Sequence, residues 1–183
     1  MKRNHLTRLL QFAVAGAIFS AASVSAQDAA MQAKIDAKKT EIAAWGKDPG
    51  LAAAVKAFNA AKPDFAQGIT QADWDGLSIV DAKVRSFQNT DAAKFLKSKK
   101  ADWVAEAFVS CADGTKAGFL QKTSGFSHKG KPKHDDPMAG KVWQGKMERD
   151  DSTGMEQVQV GVPVLDGTTP VGSLVVGIRA DKL

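Results

Sequence analysis

The chain has 183 residues, 25 Lys and Arg against 20 Asp and Glu, a formal net charge of +5, and one cysteine, Cys111. That length sustains one core without cross-links, and a single thiol excludes an internal disulfide. So small a surplus of positive charge does not argue for nucleic acid, whose binders need a concentrated basic face.

Residues 1–26 read as a secretion leader. Lys2, Arg3 and Arg8 give it a basic start, and Leu9 to Phe19 form an apolar run interrupted only by Gln11 and Gly16. Val24-Ser25-Ala26 supplies the small residues that signal peptidase requires, so cleavage is expected after Ala26 with Gln27 as the new N-terminus. The competing reading is an uncleaved N-terminal anchor. Cleavage removes three of the 25 basic residues and none of the 20 acidic ones, which leaves a surplus of +2. No Cys follows the cut to carry a lipid, and no later stretch approaches the roughly 20 apolar residues of a membrane helix. One periplasmic domain is expected over residues 27–183, with no membrane insertion after cleavage.

The pattern predicts a helical segment over residues 27–102 and a strand-rich one over 103–183, hence α+β. Ala29 to Trp45 forms an amphipathic helix, with Met31, Ile35, Ile42 and Trp45 at helical spacing and Lys38 interrupting the stripe. Asp48-Pro49 is an N-cap followed by proline at the first helical position, and Leu51, Val55 and Phe58 make the stripe of a second helix that Lys62-Pro63 stops. Gln71 to Gly76 reads as a turn. Asp91 is expected to cap a third helix, carrying Phe95 and Leu96, that runs into a solvated lysine segment at Lys97 to Lys100.

From Trp103 the period becomes that of strands. Val104 to Ala112 and Lys116 to Lys122, joined by Asp113-Gly114-Thr115, read as a hairpin. Thr123 to Gly140 is an irregular segment, of a length that is usually functional or mobile in a compact domain. Strands follow at Lys141 to Arg149, Met155 to Leu165 and Val171 to Arg179, the last two joined by Asp166-Gly167. Cys111 lies in the apolar run Phe108-Val109-Ser110-Cys111-Ala112, which points to a buried, unreactive thiol, with a disulfide-linked dimer as the alternative.

Val158-Gln159-Val160-Gly161-Val162-Pro163-Val164-Leu165-Asp166-Gly167, followed by Pro170-Val171-Gly172-Ser173-Leu174-Val175-Val176-Gly177-Ile178, resembles the close of the PAS-like extracytoplasmic sensor domains called Cache or PDC domains. There a strand ends in a proline and apolar pair, turns at Asp-Gly, and returns as a strand opening with apolar-Gly. Glu106-Ala107-Phe108-Val109 to Asp113-Gly114 is similar to the opening of the same sheet. The resemblance covers residues 103–178 and takes in the helices by order alone. It implies N-terminal helices packed on a five-stranded antiparallel sheet, with a ligand pocket under the loop between the second and third strands. Receptors of this kind continue into a membrane helix and an output module, whereas this chain stops five residues after Ile178. A free-standing periplasmic sensing domain acting on a separate membrane receptor is therefore the expectation, with a homodimer through the N-terminal helix compatible with it.

Alternation sorts the candidate site. Val158, Val160, Val162 and Val164 share one strand face, expected to meet helices, and Gln157 and Gln159 share the other, expected to face a wetter cavity or solvent. Trp143, Met147 and Arg149 fall on one face of the preceding strand and suit a small organic anion, with Arg149 forking a carboxylate and Trp143 stacking on the rest. The competing reading makes Trp143 core and Arg149 surface. Relatives of the family bind amino acids through a set that includes Tyr, and this chain has no Tyr. Phe126 and His128 enter from the loop, which also carries Lys129, Lys131, Lys133, His134, Asp135 and Asp136. A charged solvated loop is the plain reading; its spacing matches no zinc pattern and its lysines repel a cation, so of the functional readings anion capture stands ahead of a metal.

Catalysis is not expected, because no Gly-x-Ser-x-Gly elbow, His-Glu-x-x-His helix or phosphate loop occurs and Cys111 sits in an apolar strand. No cofactor is implied. The alternative to a small-molecule sensor is a cell-envelope protein–protein interaction module with no small-molecule ligand, its contact the Ala29 to Trp45 helix.

Overall fold

The computed structural model describes residues 18–183, with side chains from Asp28 onward. The expected leader over residues 1–26, with its cleavage after Ala26, falls outside the residues described with side chains. The chain divides between Ala33 and Lys34 into two units. The second, Lys34–Leu183, carries everything described below.

Its first element is the C-terminal part of α1 (Ile18–Gly46), where Ile35, Ile42 and Trp45 are buried at the spacing that marked the stripe. Lys38, which interrupts it, holds its ammonium 4.3 Å above the Trp103 ring, itself stacked on Trp45 at 5.5 Å. Asp48 caps α2 (Pro49–Ala60) by accepting from the backbone N–H of Gly50 at 2.8 Å and Leu51 at 3.3 Å. Leu51, Ala52, Val55 and Phe58 form its buried face.

Short helices depart from expectation. Gln71–Gly76, expected as a turn, is helix α3, because Thr70 and Asp73 form a capping box: Thr70 Oγ1 accepts from the Asp73 N–H at 3.1 Å, and Asp73 accepts from the Thr70 N–H at 2.9 Å. Helix α4 (Ala82–Phe87) follows, with Asp81 as its cap. The third expected helix is α5 (Asp91–Ser98), capped by Thr90 instead of Asp91, through a 3.1 Å bond from the Ala93 N–H. A further helix, α6 (Pro132–Met138), lies inside the segment expected to be irregular. Two turns of helix display too few residues for a period to show.

The strands β1 (Val104–Cys111), β2 (Lys116–Phe119), β3 (Trp143–Arg149), β4 (Glu156–Asp166) and β5 (Thr169–Arg179) form one antiparallel sheet in the order β2-β1-β5-β4-β3. This is the five-stranded α+β arrangement that the resemblance implied. Val158, Val160, Val162 and Val164 are buried with Leu174, Val176 and Ile178 on the face that receives α1 and α2, as alternation required. At the β2 edge Phe58, Phe65, Trp74, Phe87, Phe119 and Phe126 form a linked aromatic core, with successive ring centroids 4.9–6.4 Å apart. Among the described residues no helix is long and apolar enough to cross a membrane.

Candidate functional site

The segment between β2 and β3 is pinned at both ends of its course. Trp74 Nε1 donates to the Thr123 carbonyl at 2.7 Å, and the Gln71 amide both donates to the Ser124 carbonyl at 2.8 Å and accepts from the Phe126 N–H at 2.9 Å. Next, Ser127 bridges to Thr115 and the His128 N–H reaches the Gly114 carbonyl at 2.9 Å. The chain then turns into α6, which lies on the sheet face opposite α1 and α2. A Cβ at Gly161 would stand 2.8 Å from the Lys133 carbonyl, so α6 meets β4 backbone to backbone. His134 Nδ1 pairs with Ser173 Oγ at 2.8 Å and fastens the helix to β5.

This covered face is polar although it is buried. Glu106, Phe108 and Ser110 of β1 project onto it with Ser173 and Gly177 of β5 and Gln157 and Gln159 of β4. The side-chain amides of Gln157 and Gln159 both donate to Glu106 Oε1, the first at 2.7 Å, and Lys133 of α6 donates to Gln159 Oε1 at 2.9 Å. Farther along the same face Lys116 is fully buried, its ammonium nitrogen 2.5 Å from His128 Nδ1 and 3.7 Å above the Phe108 ring, on which His128 also stacks at 4.8 Å. Ser110 Oγ and Gln157 Oε1 are buried without a hydrogen-bond partner.

Burial dominates the electrostatics. It raises the Glu106 carboxyl above the ordinary carboxylate range, helped by the Asp150 charge and opposed by the two glutamine donors. It holds Lys116 well below the ordinary lysine value, with the Lys133 charge adding to the effect. His128 is pushed down to about 2, again by burial first and by Lys116 and Lys133 next, so its ring is neutral at physiological pH. Cys111 lies outside this cluster, on the opposite face, and burial lifts its thiol to about 11. It should resist alkylation by iodoacetamide at pH 8 until denaturant is added; labelling of the folded protein at the rate of a free thiol would contradict the burial.

The expected site residues separate. A bulge between Gln144 and Met147 inserts one residue into β3, so Trp143 faces the side of Gln159 and Gly161 whereas Met147 and Arg149 face the side of Val158. The expectation that all three share a face is thereby corrected. Met147 and Arg149 are exposed, and Trp143 is half-buried. Phe126 belongs to the aromatic core, 5.3 Å from Trp74. His128, Gln157 and Gln159 are in the buried cluster. Sequence reasoning missed Glu106 and Lys116; an acidic residue inside the otherwise apolar β1 was a signal for the first. Among the described residues no group of three or more His, Cys, Asp or Glu side chains is arranged to hold a metal. A cleft of about 310 Å³ bounded by Phe58, Phe65, Asn89 and Asp91 lies among α2, α4 and α5, away from the polar cluster.

No family model and no curated protein matches the chain. Among solved structures it is similar to the sensor domain of the V. cholerae histidine kinase DctB, at 17% identity and a TM-score of 0.49 over 86% of this chain and 55% of that one. It is also similar to the sensory domain of the Campylobacter jejuni chemoreceptor Tlp3 with isoleucine bound, at 10% identity and a TM-score of 0.40 over 83% of this chain and 63% of that one. A third is the ligand-binding domain of the Pseudomonas aeruginosa PAO1 amino acid chemoreceptor PctC in complex with GABA, at 14% identity and a TM-score of 0.39 over 72% and 58%. The chain spans 55–63% of the length of these three.

Proposed function

We propose that the chain is a small-molecule sensing domain that receives a small organic anion between the polar face of its sheet and the segment carrying α6. One observation carries the reading. On a face closed over by a helix, where packing alone favours apolar residues, the chain buries Glu106, Lys116, His128, Gln157 and Gln159 together. The sheet order and the wording of β4 and β5 support the same reading through their resemblance to Cache domains. With it go a periplasmic location after removal of residues 1–26, a single domain over 27–183, a non-enzymatic role, action on a separate membrane receptor, and pairing through α1. Trp143, on the edge of the same face, completes the proposed lining; Arg149 and Met147 do not reach it.

The test is a thermal-shift screen of the purified chain against carboxylates, amino acids, amines, purines and divalent metals. A carboxylate at 100 times its Kd should stabilise the fold by about 2.7 kcal/mol, or several degrees. The close packing of these polar groups on one another favours the second reading, an envelope interaction module without a small-molecule ligand. A flat response across the panel would establish that reading instead.

A further inference from the structure

We propose that Lys116, backed by His128 and Ser110, anchors a subsite that takes a small carboxylate only together with a proton, so that capture weakens as pH rises. The inference rests on the sensing reading above and goes beyond it to the chemistry of the anchor. Lys116 is fully buried, and among the described residues no carboxylate lies within ion-pair distance of it. What surrounds its amine is a neutral ring edge at 2.5 Å, the Phe108 face at 3.7 Å, and, on the strand position paired with Lys116, Ser110 with its hydroxyl unpartnered. An amine, a hydroxyl and no acceptor of full charge make a site that an anion completes.

The groups that act on Lys116 are Glu106, Ser110 and, from the opposite face, Cys111 of β1, His128 of the loop, and Lys133 and His134 of α6. Glu106 is the only carboxylate among them, and it is held by Gln157 and Gln159. Its charge acts on Lys116 from beyond ion-pair distance and opposes the effect of burial. Cys111 points to the other face, and Lys133 opposes the charge on Lys116. Burial with no counter-charge at ion-pair distance holds the amine well below the ordinary lysine value and favours its neutral form. An arriving carboxylate brings a counter-charge, the amine takes one proton from solvent, and an ammonium–carboxylate pair forms; no covalent bond is made or broken. His128, kept neutral by the same burial, accepts from that ammonium and fixes its direction.

Calorimetric titration of acetate, pyruvate and inorganic phosphate into the full chain, in two buffers of different ionisation enthalpy between pH 6 and 9, reads both affinity and protons. Uptake of close to one proton per carboxylate is expected, with Kd rising about tenfold per pH unit above the Lys116 value of the free protein. Lys116→Met should abolish carboxylate binding with an unchanged circular dichroism spectrum; the proton count on the parent decides the matter if that variant does not fold. A pH-independent Kd with no proton uptake overturns the proton link. Carboxylate binding intact in Lys116→Met overturns the subsite. Stabilisation by amines or purines alone, equal in parent and variant, overturns this inference and leaves the sensing reading standing, whereas no stabilisation by anything in the panel overturns both.

Discussion

Lys116→Met should make the ligand-free protein more stable at pH 7, by about 1.4 kcal/mol for every pH unit by which burial lowers the amine's titration. For a domain of this size that is a rise of roughly 2–4 °C in melting temperature per kcal/mol. The unfolded chain holds a proton on Lys116 up to its ordinary value of 10.5, and the folded chain has already lost it below that. The unfolded state thus binds more protons throughout the window between the two values, and stability of the parent rises with pH across it. The advantage of methionine must shrink as pH approaches 10.5. Urea denaturation of parent and variant at pH 7 and pH 10 measures this directly. Equal differences at the two pH values would show that Lys116 stays protonated in the fold.

Trp74→Ala should cost about 3–5 kcal/mol, a large part of the 5–15 kcal/mol that holds a typical domain together. Trp74 is fully buried, packs within 5.8 Å of Phe87, Phe119 and Phe126, and donates from Nε1 to the Thr123 carbonyl at 2.7 Å. The alanine variant leaves a cavity among those rings and removes the donor to that buried carbonyl. Trp74→Phe keeps most of the volume and loses the hydrogen bond, so it should cost closer to 1–2 kcal/mol. Denaturant midpoints of the two variants separate the contributions. Because the bond to Thr123 begins the path that sets His128 over Phe108, the alanine variant should also lose part of any ligand-induced thermal shift.

The sheet was legible because its code is local. Valines at alternate positions from Val158 to Val164 state which face is buried, and the same alternation sends Gln157 and Gln159 to the other side. What those glutamines meet is written elsewhere, on β1, and becomes visible only when β5 brings Glu106 beside them. The one-residue insertion in β3 has a fainter signature, the lone Gly145 inside the strand, and that single extra residue turned Met147 and Arg149 away from Trp143. The loop segment, expected to be functional or mobile, places His128 and Lys133 in the buried polar cluster. Lys116 escaped notice because a lysine at the start of a short strand ordinarily lies at the surface, and only α6 and the His128 loop bury it.

Two glycines in left-handed conformations bracket α6, Gly130 at φ 80° and Gly140 at φ 76°. Both stand where an added Cβ would meet nothing. On the proposed reading, a ligand beneath that helix would leave as the segment between the glycines lifts, so its residence time would depend on that motion as well as on its contacts. On the proposed sensing reading, such an exit would make the response follow ligand concentration averaged over the dwell time, with fast fluctuations filtered out.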